Sequence, residues 1–74
     1  MKQLEFRLAG EFIELNNLLK LSGLASSGGA GKALVAAGGV AVDGAQELRK
    51  TCKVRAGQVV TLDGVSITVL AITE

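Results

Sequence analysis

The chain has 74 residues, of which 49% are apolar and 20% charged, and its formal net charge is +1. This length accommodates a single domain, residues 1–74, with a small core, and no apolar run reaches the roughly 20 residues that a membrane span needs. One cysteine and no histidine exclude an internal disulfide, a Cys–His nucleophile and a zinc site, so no metal or cofactor is expected. The absence of a secretory signal at the start predicts a cytoplasmic protein.

The beginning of the chain predicts a strand followed by a helix. Leu4, Phe6 and Leu8 alternate with polar residues, which is typical of a half-buried strand over residues 3–8. Residues 11–21 then change to a helical period. The apolar face of this predicted helix consists of Phe12, Leu15, Leu18 and Leu19.

The charges of this first helix fit its dipole. Glu11 and Glu14 are expected in the first turn, where anions are favoured, and Lys20 near the end, where cations are favoured. The two glutamates are therefore interpreted as a solvated helix face and not as an acid–base pair. Gly23 is expected to end the helix.

A second helix is predicted between Ser26-Ser27, which are good N-cap residues, and Gly38-Gly39, which end it. Lys32 is expected to point to solvent. The small residues of this helix would allow close packing on a neighbour. Its predicted inner stripe is Ala30, Leu34 and Ala37.

The second half of the chain predicts four short strands in two hairpins. Asp43-Gly44 and Asp63-Gly64 suit type I′ turns, in which both central residues have positive φ. Two helices and these strands predict an α+β fold with the helices packed on a small, mostly antiparallel sheet. The predicted strands are Val40–Val42, about Ala45–Leu48, Val59–Leu62 and Val65–Ile72.

Positive charge is concentrated in the connection over residues 49–57, which contains four cations and no acid. From Lys32 to Arg55 the chain has five cations and two acids, whereas the remainder has three cations and five acids. Such a polarised distribution indicates an anionic partner, or is an ordinary fluctuation in a charged chain. We predict that phosphates contact Lys32, Arg49, Lys50, Lys53 and Arg55, with weaker candidates in Lys20 and Ser27.

Two further interpretations concern the glycine-rich segment and the aromatic residues. A phosphate-loop reading of Gly28–Lys32 fails because position 26 is serine and position 33 is alanine. A KH-type clamp from Gly28 to Gly31 would need a third helix after the hairpin. Phe6 and Phe12 are both assigned to the core, so no ring remains to stack on unpaired bases, which favours helical or folded RNA recognised by backbone and shape.

One stretch of the chain resembles a known family. Ser27-Gly28, Lys32, Val42-Asp43-Gly44, Arg49-Lys50, Lys53-Val54 and Gly57 are similar to the RNA-binding domain of the S-four-like family, and most closely to its small, free-standing bacterial YbcJ-like branch. The resemblance spans residues 11–70. It implies an αL RNA-binding motif of two helices and a hairpin in a bacterial, cytoplasmic, ribosome-associated protein. It also implies a structured RNA partner, with ribosomal and transfer RNA as candidates.

The chain departs from the family pattern at two positions. Gly28 stands where many members have arginine after the capping serine, although the YbcJ-like branch shares the glycine, and Ala41 replaces a basic hairpin residue. Family members often carry this module beside a catalytic domain, and none is expected here, so the chain is predicted to be a monomeric binding protein and not an enzyme. The alternative is a protein-interaction adaptor that uses the basic connection and the strand Val65–Ile72 at a partner's sheet edge.

Overall fold

The computed structural model describes residues 2–72, which form two helices and seven strands. Five strands make one sheet in the order β1-β7-β6-β3-β4, and β2 and β5 make a separate pair. The strands are β1 (Lys2–Leu8), β2 (Ile13–Glu14), β3 (Val40–Val42), β4 (Ala45–Gln46), β5 (Lys53–Val54), β6 (Val59–Leu62) and β7 (Val65–Ala71). The helices are α1 (Leu15–Leu21) and α2 (Gly28–Ala36).

The main sheet follows the predicted hairpins. Strand β1 pairs parallel with β7, and the other pairs in this sheet are antiparallel. Asp43 and Gly44 have φ values of 51° and 84°, as a type I′ turn requires. The predicted α+β architecture and both Asp-Gly hairpins are therefore confirmed, and residues 59–71 form strands where a KH domain needs a helix.

Strand β7 is an interior strand, with β1 on one side and β6 on the other. Its backbone groups are occupied on both sides, so it offers no edge to a partner's sheet. The adaptor hypothesis is thus wrong in assigning Val65–Ile72 to edge pairing. The edges of the described sheet are β1 and β4.

The core lies between the helices and one face of the sheet. Alternation along β1 leaves Leu4 and Phe6 half-buried and Leu8 buried, as predicted. The fully buried side chains come from both helices and from the strands: Leu15, Leu18, Leu19, Val35, Val40, Val54, Val60, Ile67 and Val69.

Helix α1 begins at Leu15, four residues later than predicted, because residues 13 and 14 pair with β5 instead. The first free N–H groups of the helix are satisfied from outside it: Leu15 N donates to Cys52 O (2.9 Å) and Asn16 N to Lys50 O (3.2 Å). The expectation that Glu11 and Glu14 occupy the first turn is therefore wrong. Lys20 lies in the last turn, as expected.

The two helices approach closely at Gly31. A Cβ at this position would lie 2.6 Å from the backbone oxygen of Asn16, so the contact tolerates no side chain. Ala30 and Leu34 pack against the core as predicted, beside the buried Gly31 and Val35, whereas Ala37 is exposed, so the predicted inner stripe is wrong at Ala37. Ser27 caps this helix as predicted, since its hydroxyl accepts from Ala30 N at 3.1 Å.

Candidate nucleic-acid interface

The cationic segment, residues 49–55, is a folded turn and not an extended chain; we call it the basic turn. Lys50 and Thr51 form its bend, and Cys52 N donates to Arg49 O at 3.2 Å. The turn then enters β5, which pairs with β2, and its carbonyls hold the start of α1. These backbone contacts fix the basic turn against the helical part of the fold.

Arg49 is held by Glu47 in a bidentate ion pair. Its Nε donates to Oε2 (2.9 Å) and its Nη2 to Oε1 (3.0 Å), and the backbone N of Arg49 also donates to Oε2 (2.9 Å). The Arg49 side chain remains 78% exposed, while that of Glu47 is 16% exposed. The carboxylate therefore orients the guanidinium and leaves Nη1 free to donate outward, since no residue within 2–72 accepts from it.

The same pair shifts the acidity of both groups. Hydrogen bonds from the Arg49 side chain, and then from its backbone, lower the pKa of Glu47 from 4.5 to about 2. The hydrogen bond to Glu47 raises the pKa of Arg49 above its usual value. The ion pair is thus complete at neutral pH, and it cancels one positive charge of the basic turn.

We expect Glu47→Gln to lower stability at pH 6 and to lose this effect in acid. A depressed carboxyl pKa stabilises the fold above the unfolded-state pKa near 4.5, and most of that stabilisation is gone when the pH reaches about 2. The check is urea unfolding of both proteins at several pH values between these limits. A difference in the free energy of unfolding that stays constant with pH would contradict the ion pair's role.

Lys53 lies beside an exposed aromatic ring. Its Nζ lies over the ring of Phe12, 4.9 Å from the centroid, and Phe12 as a residue is 38% exposed. The assignment of Phe12 to the core is therefore wrong. The physical reason is that α1 begins after this residue, so the helical period that placed Phe12 inward does not apply at position 12.

An open cavity of about 370 Å³ lies on the basic turn and is lined by residues from both sides of the bend. Arg49 and Lys53 bring positive charge to it, and Thr51 and Cys52 complete the lining. Arg49 and Lys53 thus lie at one cavity, although the bend at Lys50-Thr51 stands between them in the chain.

The thiol of Cys52 is half-buried in this lining. Burial first, and then the nearby Glu47 carboxylate, raise the pKa of Cys52 above its usual value. Lys50 and Lys53 flank this cysteine in the sequence, but they do not activate its thiol. A structural role fits this cysteine better than a reactive one.

The remaining predicted contact residues are spread over neighbouring elements. Lys50 and Arg55 are exposed on the basic turn, while Lys32 and Lys20 are exposed on α2 and in the last turn of α1. The end of the turn is tied to the first hairpin, because Gln58 accepts from Arg55 N (2.8 Å) and donates to Asp43 Oδ2 (3.2 Å). The phosphate contacts themselves stay a prediction.

Other kinds of site have no support in the described part of the chain. Residues 2–72 contain no group of three or more histidine, cysteine or acidic residues that could hold a metal ion. Neither of the two described helices is long and apolar enough to cross a membrane.

Comparisons with known proteins agree with this geometry. Residues 6–70 match the S4 domain family. An Escherichia coli K12 protein named "Putative RNA-binding protein YbcJ" is 51% identical over 59 residues, which are 80% of this chain and 84% of that protein. A Shigella flexneri protein named "Uncharacterized protein YbcJ" shows the same identity and coverage.

A solved structure confirms the fold. The solution structure of Escherichia coli YbcJ, described as revealing an αL motif involved in RNA-binding, is similar with a TM-score of 0.74 at 44% sequence identity. The similarity covers 96% of this chain and 91% of that one. The predicted resemblance and the predicted αL arrangement of two helices and a hairpin are thereby confirmed.

Proposed function

The chain belongs to the S4 domain family, and we propose that it binds structured RNA through the basic turn and the adjoining faces of α1 and α2. The names of the relatives supply the ligand class. One relative is named "Putative RNA-binding protein YbcJ", and the αL motif of the solved relative is described as involved in RNA-binding. The observation that carries the proposal for this chain is the basic turn, which backbone hydrogen bonds and strand pairing fix against the helical part of the fold. It holds Arg49 and Lys53 at one open cavity, with Lys50 on the bend between them.

The chemistry of these groups favours the phosphate backbone as their target. Arg49 presents Nη1 outward from its pair with Glu47, and lysine ammonium groups on flexible stems act as point charges toward phosphate. Backbone phosphates carry no sequence information by themselves, so this surface recognises shape and charge. Ribosomal and transfer RNA supply folded helices of this kind and are the proposed ligands.

The proposal further assigns a binding role without catalysis to a cytoplasmic monomer. The described site has no histidine and no activated thiol, and its one carboxylate, Glu47, is occupied by Arg49. An adaptor that binds an acidic protein would use the same cations. Pull-down with and without ribonuclease separates the two functions, because RNA-mediated capture is lost after RNA removal.

Salt dependence of RNA affinity tests the proposed function directly. If three to five phosphates are neutralised, log affinity for a folded RNA falls with log salt at a slope of about −2 to −4. The measurement is a fluorescence-anisotropy titration with a labelled transfer RNA at several salt concentrations. A slope near zero, or no binding at low salt, would contradict the proposal.

A further inference from the structure

Phe12 is one of only two aromatic residues in the chain, and it lies at the surface. Residues 13 and 14, which follow it, are fixed by pairing with β5, so the ring's position is set by the same strand pair that carries Lys53. Since the buried core consists of other residues, the fold does not depend on this ring for its interior. The Lys53 ammonium lies over a face of this phenylalanine, and a π system can stack on the ring where the ammonium moves aside.

The ring of Phe12 is in contact with a positive charge, which is the kind of group that binds phosphate. Lys53 Nζ lies 4.9 Å from the Phe12 centroid, and the same lysine lines the cavity on the basic turn. Its flexible stem allows the ammonium to leave the ring for a nearby phosphate. Lys53 therefore joins an aromatic surface to a cationic cavity.

The cavity offers further polar partners at a suitable size. Its volume of about 370 Å³ lies within the roughly 300–1,000 Å³ of small-ligand pockets. Arg49 contributes a fixed guanidinium and Thr51 a hydroxyl, which both donates and accepts. A phosphate and a nearby sugar or base edge would find complementary groups here.

We propose that Phe12 and this cavity form a subsite for one unpaired nucleotide, whose base stacks on Phe12 and whose phosphate binds Lys53 and Arg49. The inference deepens the proposed function and rests on it. Aromatic side chains bind bases by stacking when the base is free of its helix. The subsite thus selects folded RNA that has a bulged or looped nucleotide next to a helix.

Two RNA hairpins that differ by a single bulged nucleotide test this subsite. Wild type is expected to bind the bulged hairpin about 5- to 150-fold more tightly than the fully paired one, the range that one stacked base supplies. A 2-aminopurine at the bulge is expected to lose fluorescence on binding, since stacking on Phe12 quenches it.

Variants at position 12 separate stacking from general affinity. Phe12→Leu is expected to bind the two hairpins with equal affinity and to abolish the 2-aminopurine quenching. Phe12→Tyr keeps a ring and is expected to retain both. Leu21→Ala removes another exposed apolar side chain, at the end of α1, and is expected to change neither.

The outcomes distinguish this inference from the proposed function. Equal wild-type affinity for both hairpins, or a bulge preference that survives in Phe12→Leu, would overturn the subsite while RNA binding stands. Failure of wild type to bind either hairpin would overturn the proposed function, and the subsite with it. Circular dichroism of each variant verifies that it is folded.

Discussion

Gly31→Ala is expected to lower the free energy of unfolding by about 2 kcal/mol, although alanine is the better helix former. The added Cβ would lie 2.6 Å from Asn16 O, 3.2 Å from its Cα and 3.3 Å from its carbonyl carbon. All three are backbone atoms, which no side-chain rotation can move away. The helices must separate, and the packing of Val35 and the α1 leucines is lost in part.

Urea unfolding followed by circular dichroism measures this effect, and Gly29→Ala provides the matched control. Gly29 lies in the same helix, is exposed, and has only the Ser27 hydroxyl within 4 Å of the added Cβ, at 3.8 Å. The control is expected to be neutral or to gain up to about 1 kcal/mol. Equal stability of Gly31→Ala and wild type would contradict the close helix contact.

The contact at Gly31 also bears on the candidate interface. Asn16 meets Gly31 through its backbone oxygen, and its N–H donates to Lys50 O in the basic turn. Helix α1 therefore connects α2 to the basic turn through consecutive backbone contacts. A displacement of α1 moves the turn's carbonyls with it, so the geometry of the basic turn depends on a glycine on the neighbouring helix.

The parts of the fold that the sequence predicts are those governed by local physics. Asp43-Gly44 and Asp63-Gly64 specify tight turns because aspartate and glycine tolerate positive φ, and all four residues adopt it. The cap at Ser27 follows from its hydroxyl, which reaches Ala30 N one turn ahead. These features need no information from distant segments.

The errors arise where distant segments decide. Ile13-Glu14 pairs with Lys53-Val54, forty residues later, and this pairing moves the helix start from residue 11 to Leu15. Helical periodicity continued through Phe12 in the sequence, but tertiary pairing overrode it. The exposed ring was therefore absent from the sequence-based interpretation.

The candidate interface was predictable in composition and only partly in geometry. The cations of residues 49–55 are evident from the sequence, and two of them, Arg49 and Lys53, line the cavity. The ion pair between Glu47 and Arg49 was not predicted, although the two residues are only two positions apart in the sequence. The chain bends at Lys50-Thr51, between Arg49 and Lys53. The alternation of side chains along an extended chain therefore does not describe how these two charges come to lie at one cavity.

The double variant Lys50→Gln/Lys53→Gln is expected to weaken binding to folded RNA about 10- to 50-fold near physiological salt. Each lost phosphate contact removes about 0.7 to 0.9 from the slope of log affinity against log salt, so the slope becomes shallower by about 1.4 to 1.8. Both side chains are exposed and neither belongs to the described ion pair, so the main loss of stability is the contact of Lys53 with the Phe12 ring, worth about 0.5–1 kcal/mol at an exposed site. Anisotropy titrations over a range of salt concentrations measure both quantities.

Lys2→Gln/Arg7→Gln is the matched control, because it removes the same two charges from exposed positions on β1. If the basic turn contacts phosphate directly, this control keeps the wild-type slope and loses little affinity, since neither of its side chains belongs to the basic turn. Equal losses in the two double variants would instead mean that RNA responds to net charge alone. That result would contradict a defined contact surface on the basic turn, because the two proteins carry the same net charge and differ only in where the cations are missing.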